Sequence, residues 1–327
     1  MAIFRLYSEI LKYLNTNPQL LHTEKLEVIA VSYGDYAYYG ARKTLQSHVS
    51  ARAKALHHLI HKNENQTLQE WYGKDWAKDS GSFPDFVLEY QDLYLLGDGA
   101  LIELKDSESE AIASFNSTLP EKYKELSGLP QHVQSSVRWY QQQINKPCPD
   151  KRDCFYIIRT KRREPHSARL SIVEGSFFCT ITNQQLLREL WKQVMQEAGL
   201  STDSDSARQI LDKLSTLSRD QIAKVRRIEG ASIKPRLRVM AEVEADGNPH
   251  KYDVITGRTI NLIFQHNDTQ SKREAEIVAQ MFQKDGLTAE VHPENQIRID
   301  GTTVTLCLLQ HKRNGVYTVV QAHLPHQ

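Results

Sequence analysis

The chain has 327 residues, a formal net charge of +1, and a composition that is 40% apolar and 25% charged. That length suits one large or two ordinary domains with a sizeable core, and no apolar run is long enough to read as a bilayer-spanning helix. A charge so near zero excludes a global pull on nucleic acid, so any such contact must come from local basic clusters.

The N-terminus, Met1-Ala2-Ile3-Phe4-Arg5-Leu6, lacks the basic start and apolar stretch of an export signal, and a cytoplasmic location is expected. Ile3, Leu6, Tyr7, Ile10, Leu11 and Leu14 share one face at helical spacing, predicting a helix over 3–14 that ends near Asn15 and Pro18. A longer helical pattern runs over 36–61. The period then shortens: apolar runs at 86–88, 93–96 and 100–104, broken by Gly97-Asp98-Gly99, predict strands joined by a tight turn. A helix is expected from Pro130, with Val133, Val137, Tyr140 and Ile144 on one stripe. Two strands follow, at 154–159 and from 170 towards 181, the first apolar enough to be central. Asn183 is expected to cap a helix bearing Leu186, Leu187, Leu190, Trp191 and Val194.

The Ser/Asp-rich stretch 199–206 reads as a linker, dividing a domain at 1–198 from a smaller C-terminal α+β domain at 207–327. Beyond it the pattern predicts a helix to about 228, a hairpin around Asp246-Gly247-Asn248, a helix over 272–284, and two or three closing strands. The mixture of strand and helix patterns puts the fold class as α/β in the mixed α+β sense. Cysteines at 148, 154, 179 and 307 form no Cys-x-x-Cys pair and read as reduced, structural thiols.

The segment that carries chemistry is Phe83-Pro84-Asp85-Phe86-Val87-Leu88-Glu89-Tyr90, followed after a turn by Ala100-Leu101-Ile102-Glu103-Leu104-Lys105-Asp106-Ser107. Side chains alternate along a strand, so Glu103 and Lys105 share a face, and a neighbouring strand can bring Asp85 beside them. Two carboxylates, with the backbone carbonyl of Leu104, form the all-oxygen partial shell that Mg²⁺ takes while keeping several waters. The metal can polarise a scissile phosphate, and Lys105 can orient water or neutralise developing charge, giving hydrolysis without a covalent intermediate.

Pro84-Asp85 followed by Glu103-Leu104-Lys105 resembles the PD-(D/E)XK nuclease superfamily, which includes most type II restriction endonucleases. The resemblance implies that Asp85 and Glu103 bind metal and that Lys105 assists the attacking water. It implies a restriction-endonuclease-like core in the order helix, three strands, helix, strand, onto which residues 40–175 can be read. The first domain would then be catalytic, and the second would select DNA or form a dimer. The expected activity is that of a Mg²⁺-dependent endodeoxyribonuclease of a restriction system. It would cut double-stranded DNA as a type II site-specific enzyme, with Mn²⁺ able to substitute and a homodimer as the working form. A modification- or structure-directed defence nuclease and a non-catalytic DNA-binding protein of the same fold are the alternatives. Many relatives add an acid from the preceding helix, for which Glu70 and Glu64 are candidates; Glu89, Asp92, Asp98 and Asp106 also lie nearby in sequence.

Phosphate contacts are expected from Arg159, Lys161, Arg162 and Arg163, with Arg169 beyond the turn. A second basic series includes Lys224, Arg226, Arg227, Lys234, Arg236 and Arg238. Tyrosines 33, 36, 38 and 39 interleave with Arg42 and Lys43, a pattern that suits a nucleic-acid surface, although the tyrosines read chiefly as core packing. His57 and His61 read as a helix surface, and Pro293-Glu294 with Gln310-His311-Lys312 as a structural strand end despite its echo of the motif. No phosphate-binding Gly-x-x-x-x-Gly-Lys-Ser/Thr loop occurs, so no ATP-driven step is expected.

Overall fold

The computed structural model describes residues 2–31, 36–37, 83–90, 100–115, 118–129, 150–162, 167–202, 204–215, 241–265, 274–293 and 295–325, together with the single positions 131, 134, 138 and 164. By its contacts the chain forms two compact units. The first comprises Met1–Ile112, Pro120–Phe178 and Ala245–Gln327, and the second Ala113–Leu119 and Cys179–Glu244.

The larger unit opens with helix α1 (Ala2–Thr16), then the short α2 (Leu20–Thr23) and α3 (Leu26–Val31). The apolar stripe read from 3–14 is the reason for α1: Ile3, Leu6, Tyr7, Ile10, Leu11 and Leu14 are all buried. Its strands are β1 (Tyr36–Ala37), β2 (Phe86–Tyr90), β3 (Ala100–Ser107), β5 (Tyr123–Glu125), β6 (Lys151–Thr160), β7 (Arg169–Glu174) and β10 (Thr259–Phe264). Four more close the chain: β11 (Ala289–His292), β12 (Gln296–Ile299), β13 (Thr302–His311) and β14 (Gly315–His323). These form one mixed sheet in the order β1-β2-β3-β6-β7-β10-β14-β13-β12-β11, with β5 paired to the start of β6. Strand β2 is antiparallel to β1 and β3, β3 is parallel to β6, β6 is antiparallel to β7, and β7 is parallel to β10.

Alternation sorts this sheet into two faces. Ile102, Leu104, Phe155, Ile157, Leu170, Ile172, Ile260 and Leu262 join α1 and helix α6 (Glu274–Lys284) in one apolar core. Phe4 meets Phe264 and Phe282 edge-on at 5.3 and 4.9 Å. Strand β6 is buried without a break from Cys154 to Thr160, as befits a strand flanked on both edges and covered on both faces. The opposite face carries Glu103, Lys105, Tyr156, Ser171 and Asn261, which the register aligns across β3, β6, β7 and β10.

The smaller unit holds β4 (Ser114–Phe115), β8 (Thr180–Thr182) and β9 (Ala241–Val243), in the order β4-β9-β8, and the helices α4 (Asn183–Glu197) and α5 (Asp205–Ser215). Thr182 caps α4: its hydroxyl accepts from the Gln185 N–H while the Gln185 side chain accepts from the Thr182 N–H. Asn183, expected as the cap, is instead the first helical residue.

Several expectations are corrected here. By contacts the two units divide elsewhere than at 198/207: the strands after 259 extend the sheet begun by β2 and β3, and 199–202 and 204 lie between α4 and α5. A turn and a linker draw on the same Gly/Ser/Asp composition, so sequence could not separate them. Asp246-Gly247-Asn248 makes no hairpin. Strand β9 pairs with β4 and β8, and the chain continues through two 3-10 turns fixed by the Asn248 amide on the Ile112 carbonyl at 2.8 Å. Tyr36–Ala37 is strand, where a helix was expected. The remainder of 36–61 lies outside the described residues, as do 93–96, Gly97-Asp98-Gly99, Pro130, the 133–144 stripe and 216–240. Of the helix expected from 130, Gln131, Gln134 and Arg138 are helical. No described helix is long and apolar enough to cross a membrane.

Candidate active site

Asp85 lies at the entry of β2 and is tied to β3 on both sides of Glu103. Its N–H donates to the Ile102 carbonyl at 2.9 Å, and its Oδ2 accepts from the Leu104 N–H at 2.7 Å. Asp85 and Glu103 are each only 1% exposed. Lys105, two residues on and therefore on the same face as Glu103, donates from Nζ to Glu103 Oε1 at 2.9 Å, and its side chain is 14% exposed. In an extended residue the N–H and C=O face the same edge, so Leu104 turns its carbonyl towards the edge that Asp85 occupies. Glu103 and Lys105 are thus brought together, and Asp85 is hydrogen-bonded to the main chain on either side of Glu103.

Glu103 is ion-paired with Lys105, and Asp85 is hydrogen-bonded to the main chain next to it. The donors are all oxygen, the set that Mg²⁺ accepts while retaining water. Among the described residues, no group of three or more His, Cys, Asp or Glu side chains gathers as a metal site. Asp106 cannot supply a third carboxylate, since it turns to the opposite face and pairs with Arg159. Glu70, Glu64, Asp92 and Asp98 lie outside the described residues, as does the side chain of Glu89.

Tyr156 was missed from sequence. It sits opposite Glu103 in the β3–β6 register, fully buried, with Phe83 stacked at 6.4 Å and Phe178 edge-on at 5.1 Å. From the position across from Glu103 it therefore packs on the segment leading into Asp85. Burial, reinforced by Cys154 and Glu103, holds its phenol well above the ordinary tyrosine range, so it is neutral at physiological pH. Only the register reveals its place, because Cys-Phe-Tyr-Ile-Ile-Arg reads simply as a central strand. Burial also pushes the nearby Cys154 thiol up to about 12, which rules it out as a nucleophile.

Further along the same face lies a buried polar network. His250 binds Thr160 Oγ1 through Nδ1 at 2.8 Å and Ser171 Oγ through Nε2 at 2.9 Å. Asn261 links Ser171 to Gln321. Complete burial, and secondarily Arg169, hold the imidazole well below its ordinary pKa, hence neutral. Ser171 is fully buried, so this Ser–His contact is structural.

The expected phosphate contacts fare unevenly. Arg159 is fully buried on the helix-covered face, bidentate to Asp106 and bonded through Nη1 to the carbonyls of Leu21 and Glu24. It holds the α2 segment and is unable to reach nucleic acid. Lys161 donates to the His22 carbonyl at 3.3 Å, and Arg162 pairs with Glu110. Arg163, Lys224, Arg226, Arg227, Lys234, Arg236 and Arg238 lie outside the described residues, as do His57, His61 and the tyrosines at 33, 38 and 39. His311 is buried against Phe177 and accepts from the N–H groups of Arg313 and Asn314, in keeping with a structural strand end. No family model, curated protein or solved structure matches the chain.

Proposed function

We propose that the chain is a Mg²⁺-dependent endodeoxyribonuclease of the PD-(D/E)XK type, cutting double-stranded DNA as a type II restriction enzyme does. The observation that carries this reading is the clip of Asp85 onto β3 on either side of Glu103, with Lys105 on the same face and reaching solvent. The strand order supports it as well. β1, β2 and β3 run antiparallel in succession, helical residues follow at 131, 134 and 138, and β6 returns parallel to β3. These steps agree with part of the order the resemblance implies, whose opening helix, read from residue 40 on, lies outside the described residues.

In this reading Asp85, Glu103 and the Leu104 carbonyl hold Mg²⁺, or Mn²⁺ in its place. The ion supplies Lewis acidity at the scissile phosphate. Lys105 orients the attacking water and offsets charge as it builds on the phosphate oxygens; Tyr156 and Phe83 keep the two carboxylate-bearing segments apposed. Cutting both strands of a symmetric site calls for two copies of this centre, for which a two-fold homodimer is the simplest arrangement.

The test is cleavage of several supercoiled plasmids with Mg²⁺, Mn²⁺ or EDTA. Wild type should give discrete products only with metal, and Lys105→Ala and Asp85→Asn should each lose about a hundredfold or more in rate. Undiminished cutting in EDTA or by Lys105→Ala would defeat the proposal. A second reading, a DNA-binding protein without catalysis, draws on the same contacts: Lys105 already pairs with Glu103 and Asp85 with the Leu104 amide, which suffices to stabilise a sheet edge. DNA retention with no nicking under either metal would favour it.

A further inference from the structure

Beyond Lys105 on the same sheet face, three cations, two from one strand connection and one from far along the chain, gather around Glu110. Arg162 pairs with Glu110 Oε1, Lys251 Nζ lies 3.6 Å from Glu110 Oε2, and Arg169 Nη2 donates to the Glu110 main-chain carbonyl at 3.2 Å. Three positive groups against one negative leave a local excess of two. The crowding shows in Arg169, whose guanidinium is held below its ordinary pKa by burial and, further, by Arg162, with Glu110 opposing.

The cluster is built. Arg169 is fixed by Thr160 Oγ1 at 3.2 Å and by the Ile255 carbonyl at 2.8 Å. Glu110 sits in a turn closed by Ser107 and Ser109, whose hydroxyls both donate to the Ala111 carbonyl, at 3.0 and 2.5 Å. The two outer cations are accessible, with side chains 57% exposed at Arg162 and 47% at Lys251. Register fixes its place relative to the candidate active site. Lys105 faces Ile158, and two residues further Ser107 faces Thr160, which in turn faces Arg169. Two residues along a strand and two strands across amount to about 12 Å between Lys105 and Arg169 main chains. A nucleic-acid backbone engaged at Lys105 spans that interval.

We infer that Arg162, Arg169 and Lys251 form a phosphate-docking subsite that holds the DNA backbone next to the scissile position, with Glu110 as the carboxylate the phosphate displaces. This rests on the nuclease reading of Asp85, Glu103 and Lys105. Planar guanidinium groups suit bidentate contact to phosphate, and Glu110 keeps them ordered when no DNA is bound.

The test is fluorescence anisotropy of a short labelled duplex bound to the full chain in EDTA over a salt series. The Arg162→Ala/Lys251→Ala double variant should weaken binding at least tenfold at low salt. It should also flatten the plot of log affinity against log salt by about two. Glu110→Gln should bind more tightly than wild type, an outcome that loss of folding cannot produce, and Lys105→Ala should keep most of the slope. Wild-type slope and affinity in both the double variant and Glu110→Gln would overturn the subsite. Cleavage separates the two ideas. Metal-dependent cutting with an unchanged slope removes the subsite alone. A flattened slope without cleavage by any form removes the nuclease and leaves a DNA-binding face.

Discussion

Replacing Arg159 with methionine should damage the fold rather than DNA binding, and the size of the loss follows from its four contacts. The guanidinium gives two hydrogen bonds to Asp106, at 2.9 and 2.5 Å, and two to the carbonyls of Leu21 and Glu24, at 3.1 and 2.5 Å. Asp106 is 37% exposed and rehydrates once its partner is gone, so that half of the loss is about 1 kcal/mol. The Leu21 carbonyl loses its donor at a buried position and the Glu24 carbonyl at a part-buried one, at about 1–2 kcal/mol each. The total, about 3–5 kcal/mol, agrees with what breaking one side of a buried pair costs and is a large share of an ordinary domain's stability. Urea unfolding followed by circular dichroism measures it directly. A loss under about 1 kcal/mol, or full stability with selectively weakened DNA binding, would refute the assignment of Arg159 to the core.

His250 should make the fold acid-sensitive. Its folded pKa lies well below the ordinary 6.5, so its contribution is complete above 6.5 and falls as pH drops, because the unfolded chain takes up the proton first. Wild type should lose up to about 1.4 kcal/mol per pH unit below that point relative to His250→Gln, read from urea midpoints at pH 7 and pH 5; equal pH dependence would contradict this. Gly175→Ala should cost at least about 2 kcal/mol, because a Cβ there would meet the Glu121 carbonyl oxygen at 1.9 Å; an unchanged urea midpoint would show that the approach relaxes freely. Thr182→Ala removes the cap of α4 and should lose about 1 kcal/mol in the smaller unit, seen as earlier loss of helical signal on heating.

The parts of the structure that sequence made legible are those set by local periodicity. The stripe of α1 and the apolar runs of β3 and β6 are unambiguous because burial repeats at fixed intervals. So is the meeting of Glu103 with Lys105, a matter of alternation alone, and Asp85 joins them because β2 is the antiparallel neighbour of β3. What escaped reading depends on partners far away in the chain. Arg159 looks like the first of a basic run, yet its strand position turns it towards Asp106 and the carbonyls after α2, on the face away from Lys105. Tyr156 gains meaning only from its register with Glu103, and Lys251 only from meeting Glu110 across 141 positions of sequence. The division of the chain was hidden for the same reason, since β10 pairs with β7 across more than eighty intervening residues.

That last pairing has a consequence for how the molecule can change. Parallel neighbours cannot be joined by a tight turn, so some long return path between β7 and β10 is obligatory, and here most of the smaller unit is strung along it. The pairing itself is set by Leu170 with Ile260 and Ile172 with Leu262, all buried and none belonging to the excursion. Only the middle of the excursion, Cys179–Glu244, belongs to the smaller unit; its two ends belong to the larger one, where Phe178 packs on Tyr156 and His250 bonds Thr160 and Ser171, so the excursion is anchored to the sheet at both ends.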